Sequence, residues 1–197
     1  MLTKFKVKIQ SWLVAEAKFA HSLGLTPNIL SITGVFFSAL SGLAYWFWRL
    51  NPIFLVAAPI LLLSSGFCDA LDGVLARFYG KTTIFGGFLD SLFDRYSDAA
   101  ILVGIILGGL CDVFWGLIAL TGSFLVSYSR ARAEALGGKM ESIGIAERAE
   151  RLILITLASF ASIFWLQALR WGIIVLAMLS NITVIQRLFH FLRSHNS

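Results

Sequence analysis

The stretch DALDGVLARFYGKTTIFGGFLDSLFD, Asp69 to Asp94, sets four aspartates into two strongly apolar segments. How those carboxylates are accommodated decides what kind of molecule this is. Of the 197 residues, 58% are hydrophobic and 14% are charged, and the mean hydropathy is +0.82. Soluble domains are nearer half apolar and a quarter charged, so the excess must face something other than water. A cytosolic globule is excluded, and so is disorder, since 17 Phe and 6 Trp are the reverse of a chain too polar to bury itself. In a bilayer, an aspartate at the centre of a span costs about 2.5 to 3.5 kcal/mol, so four facing lipid would cost on the order of 10 kcal/mol. They must face a polar cavity.

Spacing supports that conclusion. Asp69, Asp72, Gly73 and Ala76 stand at i, i+3, i+4 and i+7, one face of a helix, and Asp90 and Asp94 share a face with Gly86 one turn earlier. Two neighbouring helices with a short connection thus bring four carboxylates together. Such a cluster repels itself unless hard cations neutralise it, and Mg²⁺ or Mn²⁺ take oxygen ligands while leaving positions for substrate phosphates. Gly73 and Gly86 leave room for a ligand, Arg77 offers a planar fork to a phosphate, and Lys81, Thr82 and Thr83 lie in the loop between. A pair of metal ions held by carboxylates suits diphosphate chemistry. The alternative is an ion or proton pathway, which intramembrane carboxylates also mark. Asp98 continues the stripe one turn deeper and is expected to pair with a polar neighbour that stabilises the bundle.

Around this centre the chain reads as six apolar stretches, about 29–48, 52–76, 84–110, 113–128, 152–169 and 171–192. At roughly 20 residues per span they predict an all-α integral membrane protein of six transmembrane helices. Residues 1–24 carry Leu2, Phe5, Ile9, Trp12 and Leu13 at helical spacing with Lys4 and Lys8 between, an amphipathic interfacial helix. The whole, 1–197, is expected to be a single domain, with the six-helix bundle over about 28–194. No compact apolar core with a small-residue cleavage site opens the chain, so retention of the start methionine is expected. Along a six-span path Lys4, Lys6, Lys8, Lys18, Arg77, Lys81, Arg130, Arg132, Lys139, Arg148, Arg151, Arg187 and Arg193 fall on one side, and Arg49 and Arg170 on the other. Basic loops stay cytoplasmic, which predicts a cell-membrane protein with both termini and the carboxylates facing the cytoplasm. Cys68 and Cys111 sit in apolar stretches and His21, His190 and His195 are scattered, so neither a disulfide framework nor a zinc site is expected. The basic N-terminal helix is not a nucleic-acid signal, because its apolar face would be left in water.

The eight positions Asp69, Asp72, Gly73, Ala76, Arg77, Gly86, Asp90 and Asp94 match, without gap or substitution, the signature DxxDGxxARx(8)GxxxDxxxD. On them the chain resembles the CDP-alcohol phosphotransferases, and the resemblance covers essentially all of it. It implies six membrane helices after an interfacial one, a homodimer, and two divalent metal ions. It further implies that Asp69, Asp72 and Asp90 ligate metal, and that Asp94 is a ligand or the general base toward the acceptor hydroxyl. Asp69, Gly73, Ala76, Arg77 and Thr83 would line the CDP-lipid site. Thr26, Pro27 and Asn28 read as an N-cap with proline at the first helical position. Family members often have this tripeptide beside the nucleotide, so Asn28 is either part of a simple cap or a cytidine contact.

The acceptor is expected to be recognised by the second half. SYSRARAE, Ser127 to Glu134, and GIAERAER, Gly144 to Arg151, resemble the branch using inositol phosphate, the archaetidylinositol phosphate and phosphatidylinositol phosphate synthases. A phosphorylated acceptor needs an anion site apart from the metals. Ser127, Arg130, Arg148 and Arg151, with Arg187, supply hydroxyl and guanidinium donors. Topology alone would also put basic residues there. Bacterial relatives often carry Lys where this chain has Arg130, a departure that leans toward an archaeal lipid. The expected reaction is transfer of a phosphatidyl or archaetidyl group from CDP-diacylglycerol or CDP-archaeol to inositol 1-phosphate, releasing CMP. Glycerol 3-phosphate is the alternative acceptor.

Overall fold

The computed structural model describes residues 13–140 and 143–195. Its regular structure is helical throughout the described residues: α1 over 13–22, α2 Pro27–Phe47, α3 Ile53–Phe78, α4 Ile84–Leu107, α5 Val113–Ala135, α6 Arg148–Ser162 and α7 Gln167–His195. Helices α2, α3 and α7 are long and apolar enough to cross a membrane. The apolar run of α4 is broken by Asp90, Asp94, Arg95 and Asp98, and α5 ends in Arg130, Arg132 and Glu134.

The expected fifth stretch, 152–169, is divided differently from its hydropathy. α6 starts earlier, at Arg148, and stops at Ser162, and α7 begins at Gln167 rather than Trp171. Phe164 and Trp165, 93% and 58% exposed, form the turn between them, where aromatic rings serve as interface anchors. Apolar composition continues through this turn, so hydropathy alone does not reveal it. The interfacial-helix expectation falls largely on residues 1–12, outside the described residues. What is described of α1 buries Ala17 and Ala20 against Leu30, Leu71, Val74 and Leu75 of α2 and α3, and Lys18 lies 5.1 Å above the Phe78 ring.

Small residues set the crossing of α2 and α4. A Cβ on Gly104 would overlap the Gly42 carbonyl, one on Gly42 would meet the Ala100 carbonyl, and one on Gly108 would meet that of Tyr45. Without a hydrophobic drive between helices in lipid, such backbone proximity is what association rests on. Ser38 and Ser65 share a hydrogen bond of 2.6 Å between α2 and α3, and Tyr45 Oη lies 2.6 Å from Ser159 Oγ of α6. Gly104→Val is expected to lower the melting temperature of the detergent-purified protein, overpacking costing typically about 1–3 kcal/mol. An unchanged melting temperature would refute the tight crossing.

The apolar core, built on Tyr45, Leu62, Ile101, Ile105, Leu169 and Ile173, fills the half of the bundle away from the carboxylates. At that far end Arg170 pairs with Asp112 at 2.7 Å and Trp48 Nε1 donates to the Gly108 carbonyl at 2.9 Å. The other half combines the carboxylates with the smaller apolar cluster of Leu30, Leu71, Val74 and Leu75.

Candidate active site

The C-terminal half of α3 and the N-terminal half of α4 are joined by the short loop 79–83, turned by Gly80 at φ 61°. Thr83 caps α4, its Oγ1 accepting from Gly86 N at 2.9 Å. Arg77 folds back along its own helix, its Nη1 only 3.3 Å from where a Cβ on Gly73 would stand. The two helices bring Asp69, Asp72 and Asp90 together, with one carboxylate oxygen from each within 4.8 Å of the others. Three hard oxygen donors from two rigid elements fit a divalent ion such as Mg²⁺ or Mn²⁺. Asp72 is 5% exposed and accepts a hydrogen bond of 2.5 Å from Ser31 Oγ of α2.

Asp94 is turned toward a different partner. Arg148, the first residue of α6, places Nη1 2.7 Å from Asp94 Oδ1 and 2.5 Å from Asp69 Oδ2. Arg95 lies 3.6 Å from the other Asp94 oxygen. Arg148 therefore links the three-carboxylate group to Asp94, and its charge offsets part of the repulsion among them.

Two hollows meet this cluster. A cleft of ≈ 220 Å³ is bounded by Asn28, Ser31, Asp72, Gly73, Ala76, Arg77, Lys81, Thr82, Thr83, Gly86, Gly87 and Asp90, with Pro27. It gathers the residues expected at the CDP-lipid site apart from Asp69. A larger cavity of ≈ 610 Å³ lies between α3 and α6, with Asp69, Asp94, Arg130, Glu147, Arg148, Glu150 and Thr156 as its polar wall and Leu62, Phe67, Leu152 and Ile153 among its apolar lining. Asp69 and Asp94 thus border it directly.

Of the expected acceptor residues, Arg130 and Arg148 line the larger cavity, while Ser127, Arg151 and Arg187 do not. Arg130 also holds Glu134 at 2.9 Å. Arg151, 3% exposed, is paired with Asp98 at 2.6 Å, the polar partner expected for that aspartate. Arg187, 2% exposed, donates to the carbonyls of Val126 and Ile143 and to Glu147, the last at 3.3 Å. Sequence reasoning did not single out Ser31, Arg95 or Glu147. Ser31 had a usable signal, since it follows Asn28 by three residues and so faces the same way.

Comparison with known proteins identifies the family. The family model of the CDP-alcohol phosphatidyltransferases matches residues 24–190. An archaetidylinositol phosphate synthase of Pyrococcus horikoshii is 48% identical over 191 residues, covering 96% of this chain and 95% of that protein. Among solved structures, the phosphatidylinositol phosphate synthase of Mycobacterium tuberculosis with CDP-DAG bound is similar at a TM-score of 0.78 and 34% identity, covering 91% of this chain and 92% of that one. The same enzyme in complex with manganese and citrate is similar to the same degree, covering 91% and 88%. These findings set the ion-pathway reading aside: the chain belongs to the CDP-alcohol phosphatidyltransferase family.

Proposed function

We propose that this protein is an inositol phosphate-using member of its family. It transfers the phosphatidyl or archaetidyl group of CDP-diacylglycerol or CDP-archaeol to a hydroxyl of inositol 1-phosphate and releases CMP. The observation that carries this reading is the placing of the carboxylates between two cavities, one lined by the CDP signature and the other offering the guanidinium groups of Arg130 and Arg148 beside Asp69 and Asp94. The similarity to inositol phosphate-using synthases supports it.

In this reading the nucleotide lies against Gly73, Ala76 and Arg77, with Asn28 and Thr83 at the rim. Asp69, Asp72 and Asp90 hold divalent Mg²⁺ or Mn²⁺, with Asp94 beside them. When bound, two such ions would neutralise the diphosphate and stabilise the departing phosphate. Asp94, which borders the larger cavity, takes the proton from the attacking hydroxyl, and Arg148 keeps its carboxylate oriented. Arg130 and Arg148 receive the acceptor phosphate. Ser127 stands three residues before Arg130 on the same helix, Arg151 lies one turn into α6, and Arg187 lends its charge from behind Glu147.

The domain takes in the whole chain, with α2–α7 as six membrane-crossing helices and the N-terminal segment at the interface. The distribution of Lys and Arg supports a cell-membrane location with the active site and both termini on the cytoplasmic side, and membership of the family supports a homodimer.

The test is purified protein with CDP-archaeol, Mg²⁺ and a panel of inositol 1-phosphate, glycerol 3-phosphate and free inositol, with CMP measured. Inositol 1-phosphate is expected to release CMP fastest, and equal use of free inositol would overturn the acceptor. Arg130→Gln is expected to raise the KM for inositol 1-phosphate about tenfold or more with little change for CDP-archaeol, since a charge-assisted hydrogen bond is worth about 1.5–3 kcal/mol. An Arg130→Gln, Arg148→Gln double variant with unaltered acceptor KM would refute the placement.

A further inference from the structure

Asp98 lies outside the eight-position signature, yet it is 7% exposed on α4 and meets both arginines of the first turn of α6. Its Oδ2 is 2.6 Å from Arg151 Nη2 and its Oδ1 is 3.9 Å from Arg148 Nε. Arg151 Nη1 also donates to the Ala146 carbonyl at 3.3 Å, two residues before Arg148. Ala146 N donates to Thr183 Oγ1 of α7 at 3.0 Å. The entry to α6 is therefore tied to α4 and α7 just where Arg148 begins the helix.

We infer that Asp98 is a positioning residue for the acceptor site: its carboxylate, fixed by Arg151, stands beside Arg148 Nε and balances the pull of Asp69 and Asp94, so that Arg148 faces the larger cavity. Two guanidinium groups and three carboxylates meet here. A buried arginine cannot stay unpaired. Without the Asp98 charge, Arg151 keeps only the Ala146 carbonyl, and Arg148 loses the one carboxylate it shares with Arg151. Arg148 would then feel Asp69 and Asp94 alone, and with no hydrogen bond at Nε to hold it its fork would shift toward them and away from the cavity wall. The inference rests on the assignment of Arg148 to the acceptor phosphate.

A simple staple between α4 and α6 would affect stability but not discriminate between substrates. The experiment compares Asp98→Asn, Asp98→Glu, Arg148→Gln and the charge-free pair Asp98→Asn with Arg151→Met, measuring melting temperature and both KM values. Asp98→Asn is expected to raise the KM for inositol 1-phosphate about tenfold while that for CDP-archaeol changes less than about twofold, and Asp98→Glu is expected to recover part of the loss. The charge-free pair is expected to regain melting temperature lost by the single variant yet keep a raised acceptor KM, because the carboxylate charge beside Arg148 Nε is then missing. That pair also serves if Asp98→Asn fails to fold. Unaltered acceptor KM in either Asp98→Asn or the charge-free pair, with Arg148→Gln raising it, would overturn the role of Asp98 alone. Unaltered acceptor KM in Arg148→Gln would instead remove the acceptor assignment and the inference with it.

Discussion

Excess chelator is expected to abolish CMP release from CDP-archaeol, and Mg²⁺ or Mn²⁺ is expected to restore it. Asp69, Asp72 and Asp90 converge with their oxygens within 4.8 Å, and Asp94 stands close by, joined to Asp69 through Arg148. A diphosphate approaching this group without cations meets like charge, and the one guanidinium that reaches two of the carboxylates cannot offset all of them. The loss should be complete rather than graded, because binding of the diphosphate and stabilisation of the departing phosphate depend on the same charge. Retention of full activity in excess chelator would refute the metal assignment. Binding of Mn²⁺ to the lipid-free protein, followed by its paramagnetism, gives an independent reading, and Asp72→Asn is expected to weaken it.

Asp94→Asn is expected to cut turnover by about 10² to 10⁴, the usual cost of losing a positioned proton acceptor, while leaving much of the metal and CDP-lipid binding. The geometry separates it from the other three. Asp69, Asp72 and Asp90 form the close group, and Asp94 stands outside it while sharing Arg148 and the cavity lined by Arg130 with Asp69. An amide in its place keeps the shape and a hydrogen-bonding oxygen but cannot take a proton at neutral pH. Single-turnover CMP release alongside CDP-lipid binding checks this. Normal turnover, or a loss of CDP-lipid binding as deep as that of Asp69→Asn, would sink the assignment.

The carboxylate cluster was legible because its spacing is local: i, i+3 and i+4 relations on two consecutive helices fix which side chains share a face before any tertiary packing is known. The starts of α4 and α5 were legible for a related reason, since the apolar stretches expected from 84 and 113 begin where Ile84 and Val113 open the helices. The end of α6 at Ser162 was not, because Leu166 and Leu169 continue the apolar run through the turn. Nor was the division of labour among the arginines. Arg130, Arg148, Arg151 and Arg187 are alike in composition. That Arg151 meets Asp98 and Arg187 meets Glu147 follows from contacts 53 and 40 residues apart, which no local period encodes. Ser31 was hidden similarly, 41 residues from Asp72.

The glycine crossing of α2 and α4 bears on how the molecule can breathe. With backbone against backbone at Gly42, Gly104 and Gly108, no side chain cushions these contact points, and the two helices are expected to move as one stiff plate. That plate carries Asn28 and Ser31 on one member and Asp90 and Asp94 on the other. The α3–α6 seam is the opposite case, held apart by a cavity of ≈ 610 Å³. Deformation concentrates where stiffness is lowest, so a bulky acceptor entering the larger cavity is expected to strain that seam more than the spacing of the polar groups on α2 and α4.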